Sequence, residues 1–259
     1  MATIASSRGR AWLARTGLLV VLVVAASAVM IGLGIWQLQR LQERRAANAE
    51  IRTRMAAAPV ELSSQTANLP EYQPVRAIGS YDFSQEIVLR DQAREQSPGV
   101  HLLTPLKLDG GDAAVLVDRG WIPYTQAAAS ARAIYDTPNA PVTVAGLARA
   151  SQTRAFFLLP ADPTASPAAP RLDAWFWLNI PQIQGQIPYR LLPFFIEAAP
   201  SVNLSVLPVS SYDDIDLSDG PHLSYAIQWF SFAATLIVGS LVLWRQSQRR
   251  RAEAGTLGK

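Results

Sequence analysis

The chain of 259 residues contains no cysteine and only two histidines, His101 and His222. Without cysteine it has no disulfide framework, no thiolate nucleophile and no cysteine metal site. Two histidines also provide no histidine-rich metal constellation, and no Gly-x-Ser-x-Gly elbow of the hydrolase type occurs. Asp109 and Asp112 form an acidic pair, but they lie in a predicted turn, where acids are common. The residues offer no catalytic set, and we expect a protein that is not an enzyme.

Charge is absent from two long stretches near the ends of the chain. Residues 16–39 include 24 consecutive uncharged residues and residues 220–244 include 25. About 20 apolar residues are enough for a helix to cross the hydrocarbon core of a bilayer. We therefore predict transmembrane helices at 17–36 and 222–244. The first stretch is too long for the apolar core of a signal peptide, which predicts an uncleaved span.

The region between the two spans has room for a single domain. We expect a basic tail at 1–16, a helical stalk at 37–57, this domain at 58–221 and a second basic tail at 245–259. Short runs rich in β-branched residues predict strands at 75–81, 86–90, 100–108, 113–120, 142–148, 191–198 and 202–206. The sequence Asp109-Gly110-Gly111-Asp112 predicts a hairpin turn, residues 127–134 a short helix, and 159–170 an exposed loop. The expected fold class is a membrane protein with two transmembrane α-helices flanking a mainly β (α+β) extracytoplasmic domain.

Charge also predicts the orientation of the chain. Residues 37–221 hold 15 Lys and Arg against 19 Asp and Glu, whereas the two tails hold 8 basic residues and one acid, Glu253. Basic flanks are retained in the cytoplasm, and four arginines follow the second span directly. We therefore expect a protein of the bacterial cell (inner) membrane with both termini cytoplasmic and the central domain outside. The basic tails are expected to contact the lipid bilayer, not nucleic acid.

His222 is an ionisable residue at the rim of the second span, where such residues are often functional. Helical spacing places His222, Tyr225, Ala226 and Trp229 on one face and Ser224, Gln228, Ser231 and Thr235 on the face beside it. The chemistry of the residues leaves two roles for His222 open. It is either a haem or metal ligand, or an interfacial residue in an ordinary aromatic belt.

The first span contains Ala28-x-x-x-Gly32, two small residues one helical turn apart. Such a pair lets another helix approach closely. We expect its partner to be the face of the second span formed by Ser224, Gln228, Ser231 and Thr235.

Several short motifs follow one another along the chain in the order found in a known family. They are Gly34-x-Trp36-Gln37-Leu38-x-Arg40, Arg76-x-x-Gly79-x-Tyr81, Thr104-Pro105-Leu106, residues 115–123, residues 171–178, and Pro221-His222-Leu223-Ser224-Tyr225-Ala226 followed by Gln228-Trp229-Phe230. In this order they resemble the Surfeit locus protein 1 family, assembly factors for haem-copper cytochrome oxidase. The chain departs from the family pattern at Asp118 and Pro221, where the family usually has asparagine.

The resemblance implies a non-enzymatic protein that holds or delivers haem a for insertion into the haem-bearing catalytic subunit of cytochrome c oxidase. That subunit and haem a synthase are the implied partners. His222 is the implied ligand of the haem iron, with Tyr225 and Trp229 packing on the macrocycle. The alternative is a membrane-tethered extracytoplasmic interaction or sensor module without a cofactor.

Six further motif residues are expected to serve structure or partner docking: Trp36, Gln37, Arg40, Arg119, Gly120 and Trp121. We expect Gly120 in a turn, Trp121 packed on the sheet and Arg119 in a structural ion pair, for which the neighbouring Asp118 is one available partner. His101 is expected in a strand of the central domain.

Overall fold

The computed structural model of the protein describes residues 3–137, 141–154, 158–162, 171–200, 206–210, 212 and 215–256. The chain divides into two compact units, one formed by Met1–Ala49 with Leu217–Lys259 and the other by Glu50–Asp216. Of the predicted features, the strand at 202–206 apart from Val206, and the loop at 159–170 beyond Asp162, lie outside the described residues.

The first unit contains most of α1 (Thr3–Met55) and all of α4 (His222–Thr256). Neither helix contains proline, and α4 begins directly after Gly220-Pro221, where the positive φ of Gly220 (66°) ends the preceding segment. Both helices are long and apolar enough to cross a membrane, within Thr16–Met55 and His222–Arg251. The predicted stalk is a direct continuation of α1, which runs unbroken to Met55.

The two helices have their buried residues at intervals of seven. Ser27, Gly34 and Leu41 are buried on α1, and Ala226 and Ala233 are buried on α4. Gly34 is a point of close approach, because a Cβ built there would lie 2.6 Å from the ring of Phe230. A side chain at position 34 would therefore require the ring of Phe230 to move.

The predicted pairing of the Ala28/Gly32 face with the polar face of the second span is wrong. Ala28 is exposed, and a Cβ built on Gly32 would meet nothing within 4 Å. On α4 the predicted polar partners are likewise exposed: Ser224, Gln228, Ser231 and Thr235. The reason is helical periodicity, since Ala28 and Gly32 lie on the side of α1 away from Ser27 and Gly34.

The second unit is built on one sheet of eight strands. These are β1 (Val60–Glu61), β2 (Pro74–Tyr81), β3 (Ile87–Arg94), β4 (Ser97–Leu108), β5 (Ala113–Pro123), β6 (Val142–Ala150), β7 (Ala174–Trp175) and β8 (Arg190–Ala198). Their order is β1-β2-β6-β8-β5-β4-β3-β7, and an additional β2–β4 pairing closes β2, β6, β8, β5 and β4 into a barrel. Closure leaves these five strands without a free edge.

Six predicted strands are confirmed, with ends that shift by a few residues. The predicted hairpin is also confirmed, since β4 and β5 pair antiparallel up to Lys107 and Ala114, and Gly110 has φ of 72° in the connecting turn. The predicted helix at 127–134 is a single helical turn, α2 (Ala129–Arg132), between two 3₁₀ turns. Two short strands, β1 and β7, and the helix α3 (Ile180–Gln184) were not predicted.

The central strands are buried on both faces. Along β5, Ala113, Val115 and Val117 belong to a core shared by the five barrel strands, whereas Ala114 and Leu116 belong to a second core that includes Trp175 of β7 and residues of α3. A strand with apolar neighbours on both sides reads as a continuous hydrophobic run, which is the pattern at 113–117.

Candidate functional site

His222 is the first residue of α4, and its imidazole meets α1. Nδ1 of His222 lies 2.9 Å from Oε1 of Gln37. An amide oxygen only accepts hydrogen bonds, so Nδ1 is the donor in this contact, and in the neutral imidazole this leaves the lone pair on Nε2. A histidine that binds a metal through one ring nitrogen usually donates a hydrogen bond from the other nitrogen to a fixed acceptor. That bond sets both the tautomer and the orientation of the ring.

The surroundings of Nε2 fit a flat, apolar group such as a porphyrin. Gly220 lies two residues before His222 and has no side chain. A Cβ built on Gly220 would lie 3.8 Å from Nε2, which is an ordinary van der Waals distance. Tyr225 is 47% exposed, one turn into α4, and Trp36, beside Gln37, is 50% exposed. Trp229 follows Tyr225 by one turn and packs edge-on against Phe232, with ring centroids 6.1 Å apart. By helical spacing Tyr225 and Trp229 lie on the same side of α4 as His222, and aromatic rings on that side suit an axially ligated macrocycle.

Three residues of α1 fix the point at which α4 begins. Asn48, which is 2% exposed, donates through Nδ2 to the carbonyl oxygens of Leu217 (3.0 Å) and Ser218 (2.9 Å). Arg44 donates to the same Ser218 oxygen at 3.2 Å, and Arg45 pairs with Asp219 at 2.7 Å. These bonds hold the segment directly before His222, and so they determine where His222 lies along α1.

Sequence reasoning missed the role of Asn48. Its only signal is spacing, because Asn48 follows the buried residues Gly34 and Leu41 at intervals of seven. An asparagine in a stalk otherwise rich in Arg, Glu and Ala is easily taken for one more solvated residue.

Within the described part of the first-span motif, Gln37 is the residue that hydrogen-bonds to His222. Arg40 is exposed and forms an ion pair with Glu43 one turn further on, at 2.6 Å. The roles predicted for Tyr225, Trp229, Trp36 and Arg40 remain predictions.

The motif at residues 115–123 lies on β5 and contributes to a second cluster of polar groups. Arg119 contacts four residues in this cluster. The guanidinium lies 3.0 Å from the buried carboxylate of Glu86 and donates to the carbonyl oxygen of Tyr135. It also lies over the rings of Tyr81 (5.3 Å) and Phe83 (5.1 Å). Arg119 is therefore in a structural ion pair, in accordance with the prediction, but its acidic partner is Glu86, the residue directly before β3, and not Asp118.

Glu86 is 3% exposed and binds three groups. It accepts a hydrogen bond from Thr104 (2.6 Å) and pairs with Arg119 and with Arg132 (3.1 Å). Burial raises the pKa of Glu86, while the Thr104 bond and the two arginines act in the opposite direction. Arg132 also pairs with Asp173, so this network links β3, β4, β5 and α2.

Asp118 contacts a residue that sequence reasoning left without a role. Its Oδ2 lies 2.7 Å from Nδ1 of His101 on β4, and its Oδ1 accepts from the backbone N–H of Gly120 at 2.9 Å. Both side chains are buried. His101 lies in a strand as expected, and the carboxylate at position 118 gives its imidazole a charged partner.

Gly120 does not lie in a turn, and that prediction is wrong. It lies within β5 at a bulge, where the register with β4 shifts between Leu102 and Leu103. Its φ is 117°, and an added Cβ would lie 2.4 Å from the carbonyl oxygen of Val209. The reason is that Val209 pairs with Trp121 by two backbone hydrogen bonds, which brings the 206–210 segment against β5.

Trp121 packs on the sheet, as predicted. A Cβ built on Gly99 of β4 would lie 2.1 Å from the indole nitrogen of Trp121, so the ring covers that glycine. The indole N–H donates to the carbonyl oxygen of Gln92 on β3 at 3.1 Å. The ring therefore rests across β4 and reaches β3.

Comparisons with known proteins confirm the resemblance to the Surfeit locus protein 1 family. A family model described as "SURF1 family" matches residues 24–234, which is more than half of the chain. A SURF1-like protein of Rickettsia bellii is 27% identical over 220 residues, covering 83% of this chain and 86% of that protein. A SURF1-like protein of Monosiga brevicollis is 27% identical over 241 residues and 88% of each chain. Surfeit locus protein 1 of Mus musculus is 25% identical over 243 residues, covering 86% of this chain and 74% of that protein.

Proposed function

This chain belongs to the SURF1 family of cytochrome oxidase assembly factors, and we propose that it holds haem a at His222 for insertion into the haem-bearing subunit of the oxidase. Nε2 of His222 would be the axial ligand of the iron. In the oxidase, haem a supplies the redox and oxygen-binding centre. In this proposal the present protein carries haem a as cargo and does not use it for chemistry.

The observation that supports this proposal most strongly is the hydrogen bond between Gln37 and His222. It joins the first-span motif to the second-span motif, which are 185 residues apart in the chain. A histidine held in one tautomer by an amide is prepared to ligate, whereas a histidine that serves only as an interfacial anchor needs no fixed tautomer.

We further propose that α1 and α4 cross the bacterial inner membrane, with both termini in the cytoplasm and the barrel outside. Most of the apolar side chains in the central parts of both helices are exposed, including Leu19 and Leu22 on α1 and Val238 and Leu243 on α4. Such surfaces are costly in water and favourable in lipid. His222 then lies at the outer rim of its span, where a haem ring contacts the helices and its propionates reach the headgroup region.

The proposed partners follow from this location. The haem-bearing subunit is the recipient of the cargo, and haem a synthase is the proposed donor. Both would approach from within the membrane, because haem a is strongly apolar apart from its propionates.

The test is the absorption spectrum of the purified protein from cells that make haem a. His222→Ala should abolish the bound-haem spectrum without lowering the amount of protein in the membrane. Ser224→Ala is the matched control, because Ser224 is an exposed residue of the same helical turn. If the His222 variant retains its full haem content and an unchanged spectrum, the ligand proposal fails and the cofactor-free interaction module replaces it.

A further inference from the structure

Helices α1 and α4 run antiparallel and touch on two sides of the line along which they pack. Gly34 approaches Phe230, whereas Gln37, further along α1, hydrogen-bonds to His222 at the start of α4. At about 100° per residue, Gln37 lies about 60° around α1 from Gly34, and His222 lies about 80° around α4 from Phe230. Because the helices are antiparallel, both rotations lead to the same side of the pair. The Gln37–His222 contact therefore lies at one side of the interface and the Gly34–Phe230 contact at the other.

The side of the pair beyond Gln37 and His222 carries a group of larger side chains. Arg40 lies about 60° further around α1, and Tyr225 lies about 60° further around α4 in the same sense. Tyr225 is 47% exposed, and the side chain of Arg40 is 53% exposed. Trp229 is half-buried and lies about 20° around α4 from His222. Arg40, Tyr225 and Trp229 thus form one side of the helix pair next to His222, called the lateral face below.

Along the helix axis the lateral face has a charged end and an aromatic end. Arg40 follows Gln37 by about 4.5 Å in the direction of the C-terminal end of α1. Because α4 runs the other way, Tyr225 and Trp229 lie about 4.5 Å and about 10 Å from His222 in the opposite direction. A haem group has the same polarity, since its propionate carboxylates share one edge and the rest of the ring is largely apolar. With Nε2 of His222 on the iron, the propionate edge matches the end that holds Arg40.

Arg40 is also the arginine at this end of α1 whose ion pair is easiest to exchange. Arg44 and Arg45, one turn further on, are bound to the segment before α4. In the described part of the chain, Arg40 pairs with Glu43 of its own helix, and both side chains are more than half exposed, at 53% and 63%. Exposed ion pairs contribute little to stability. Another carboxylate therefore replaces Glu43 at small cost.

We propose that Arg40 binds a propionate carboxylate of the haem held at His222, and that Glu43 releases the guanidinium when haem binds. A planar guanidinium binds a carboxylate through two parallel N–H···O bonds, which fix direction as well as distance. Arg40 thereby orients the propionate edge towards the outer end of the helices, while His222 holds the iron. This inference rests on the proposed ligation of haem by His222 and adds the residue that orients the ring.

The test is a titration of the purified full chain in detergent with haem a and with its dimethyl ester, in which neither propionate is charged. Arg40→Met keeps a long side chain but removes the charge. It should weaken the binding of haem a about tenfold, near the lower end for a hydrogen bond to a charged group, and leave the binding of the ester unchanged. The absorption spectrum of the histidine-ligated haem should persist, because His222 and Gln37 are intact.

Two further variants separate the position of Arg40 from its charge. Arg249→Met is the matched control, since it removes the same charge from an exposed site about 40 Å along α4 from His222. Its affinities for haem a and for the ester should equal those of the wild-type chain. Glu43→Gln removes the competing carboxylate and should not weaken the binding of haem a.

Several results would overturn the inference. They are an unchanged affinity of the Arg40 variant for haem a, an equal loss of affinity for haem a and the ester, a wild-type chain that binds the ester as tightly as haem a, and a loss in the Arg249 or Glu43 variant as large as that in the Arg40 variant. Failure of the ligand proposal is seen differently, as a His222→Ala variant that keeps its full haem spectrum.

Discussion

Gln37 and His222 are 185 residues apart in the chain, yet Oε1 of one lies 2.9 Å from Nδ1 of the other. This contact links α1 to α4 and gives Nδ1 of the imidazole a hydrogen-bond acceptor. The amide is thus the residue through which α1 acts on the proposed ligand.

The first prediction concerns this amide. Gln37→Leu should weaken haem binding by about 10- to 100-fold, the usual effect of losing the hydrogen-bond partner of a metal-ligating histidine. Haem titration of the purified protein measures the change. Gln39→Leu makes the same substitution at an exposed site half a turn further along α1 and should leave the affinity unchanged. Equal haem affinities for the two variants would show that Gln37 does not support haem ligation by His222.

The second prediction concerns Gly120. Gly120→Ala should destabilise the barrel by about 1–3 kcal/mol, because it places a side chain at a positive φ and against the Val209 carbonyl oxygen. Gly110→Ala also has a positive φ, but its Cβ would meet nothing within 4 Å, so its effect should be smaller. Thermal unfolding of the full chain in detergent, followed by near-UV circular dichroism, compares the two. If both variants lose the same stability, backbone strain alone is responsible and the contact with Val209 is not.

The third prediction concerns the buried carboxylate. Glu86→Gln leaves Arg119 and Arg132 buried without their shared anionic partner, and breaking a buried ion pair in this way costs about 3–5 kcal/mol. Glu61→Gln removes an exposed partner of Arg76 and should change stability by less than about 1 kcal/mol. Denaturant unfolding of the full chain measures both. A Glu86 variant as stable as the Glu61 variant would show that the network does not support the fold.

The fourth prediction concerns orientation. A reporter fused after Lys259 should be active in the cytoplasm, and one inserted in the loop at 159–170 should be active outside, because basic residues concentrate in the two tails. Alkaline phosphatase and a fluorescent protein provide complementary signals. Cytoplasmic activity from the loop insertion would reverse the proposed topology.

The helices and the main strands were predictable because their signals are local. An uncharged run of 24 residues needs no tertiary information, and neither does the alternation of β2 or the glycine pair between β4 and β5. By contrast, β7 has two residues and exists only because it pairs parallel with β3, and β1 likewise depends on β2. Such elements are created by their neighbours, so their own sequence contains almost no signal.

The residues of the candidate site were easier to predict from the sequence than the contacts between them. Family motifs pointed to His222 and Gln37, but one sequence contains no information on which residues of two distant helices touch. The helix pairing shows the limit directly. α1 has two faces with small residues, one through Ser27 and Gly34 and one through Ala28 and Gly32, and composition cannot choose between them. The role of Gly120 was missed for a similar reason, since its bulge depends on Val209.

The parallel pairing of β5 with β8 has a consequence for the order of events during synthesis. It joins Asp118 to Glu197, so the barrel cannot close until nearly 200 residues have been made. The hairpin of β4 and β5 is complete long before, and its strands must wait for a partner that arrives late. His222 emerges later still, shortly after the strand that closes the barrel. A chain that stops before His222 therefore has Gln37 but lacks the imidazole that Gln37 contacts, so the proposed haem site is among the last parts of the protein to be made.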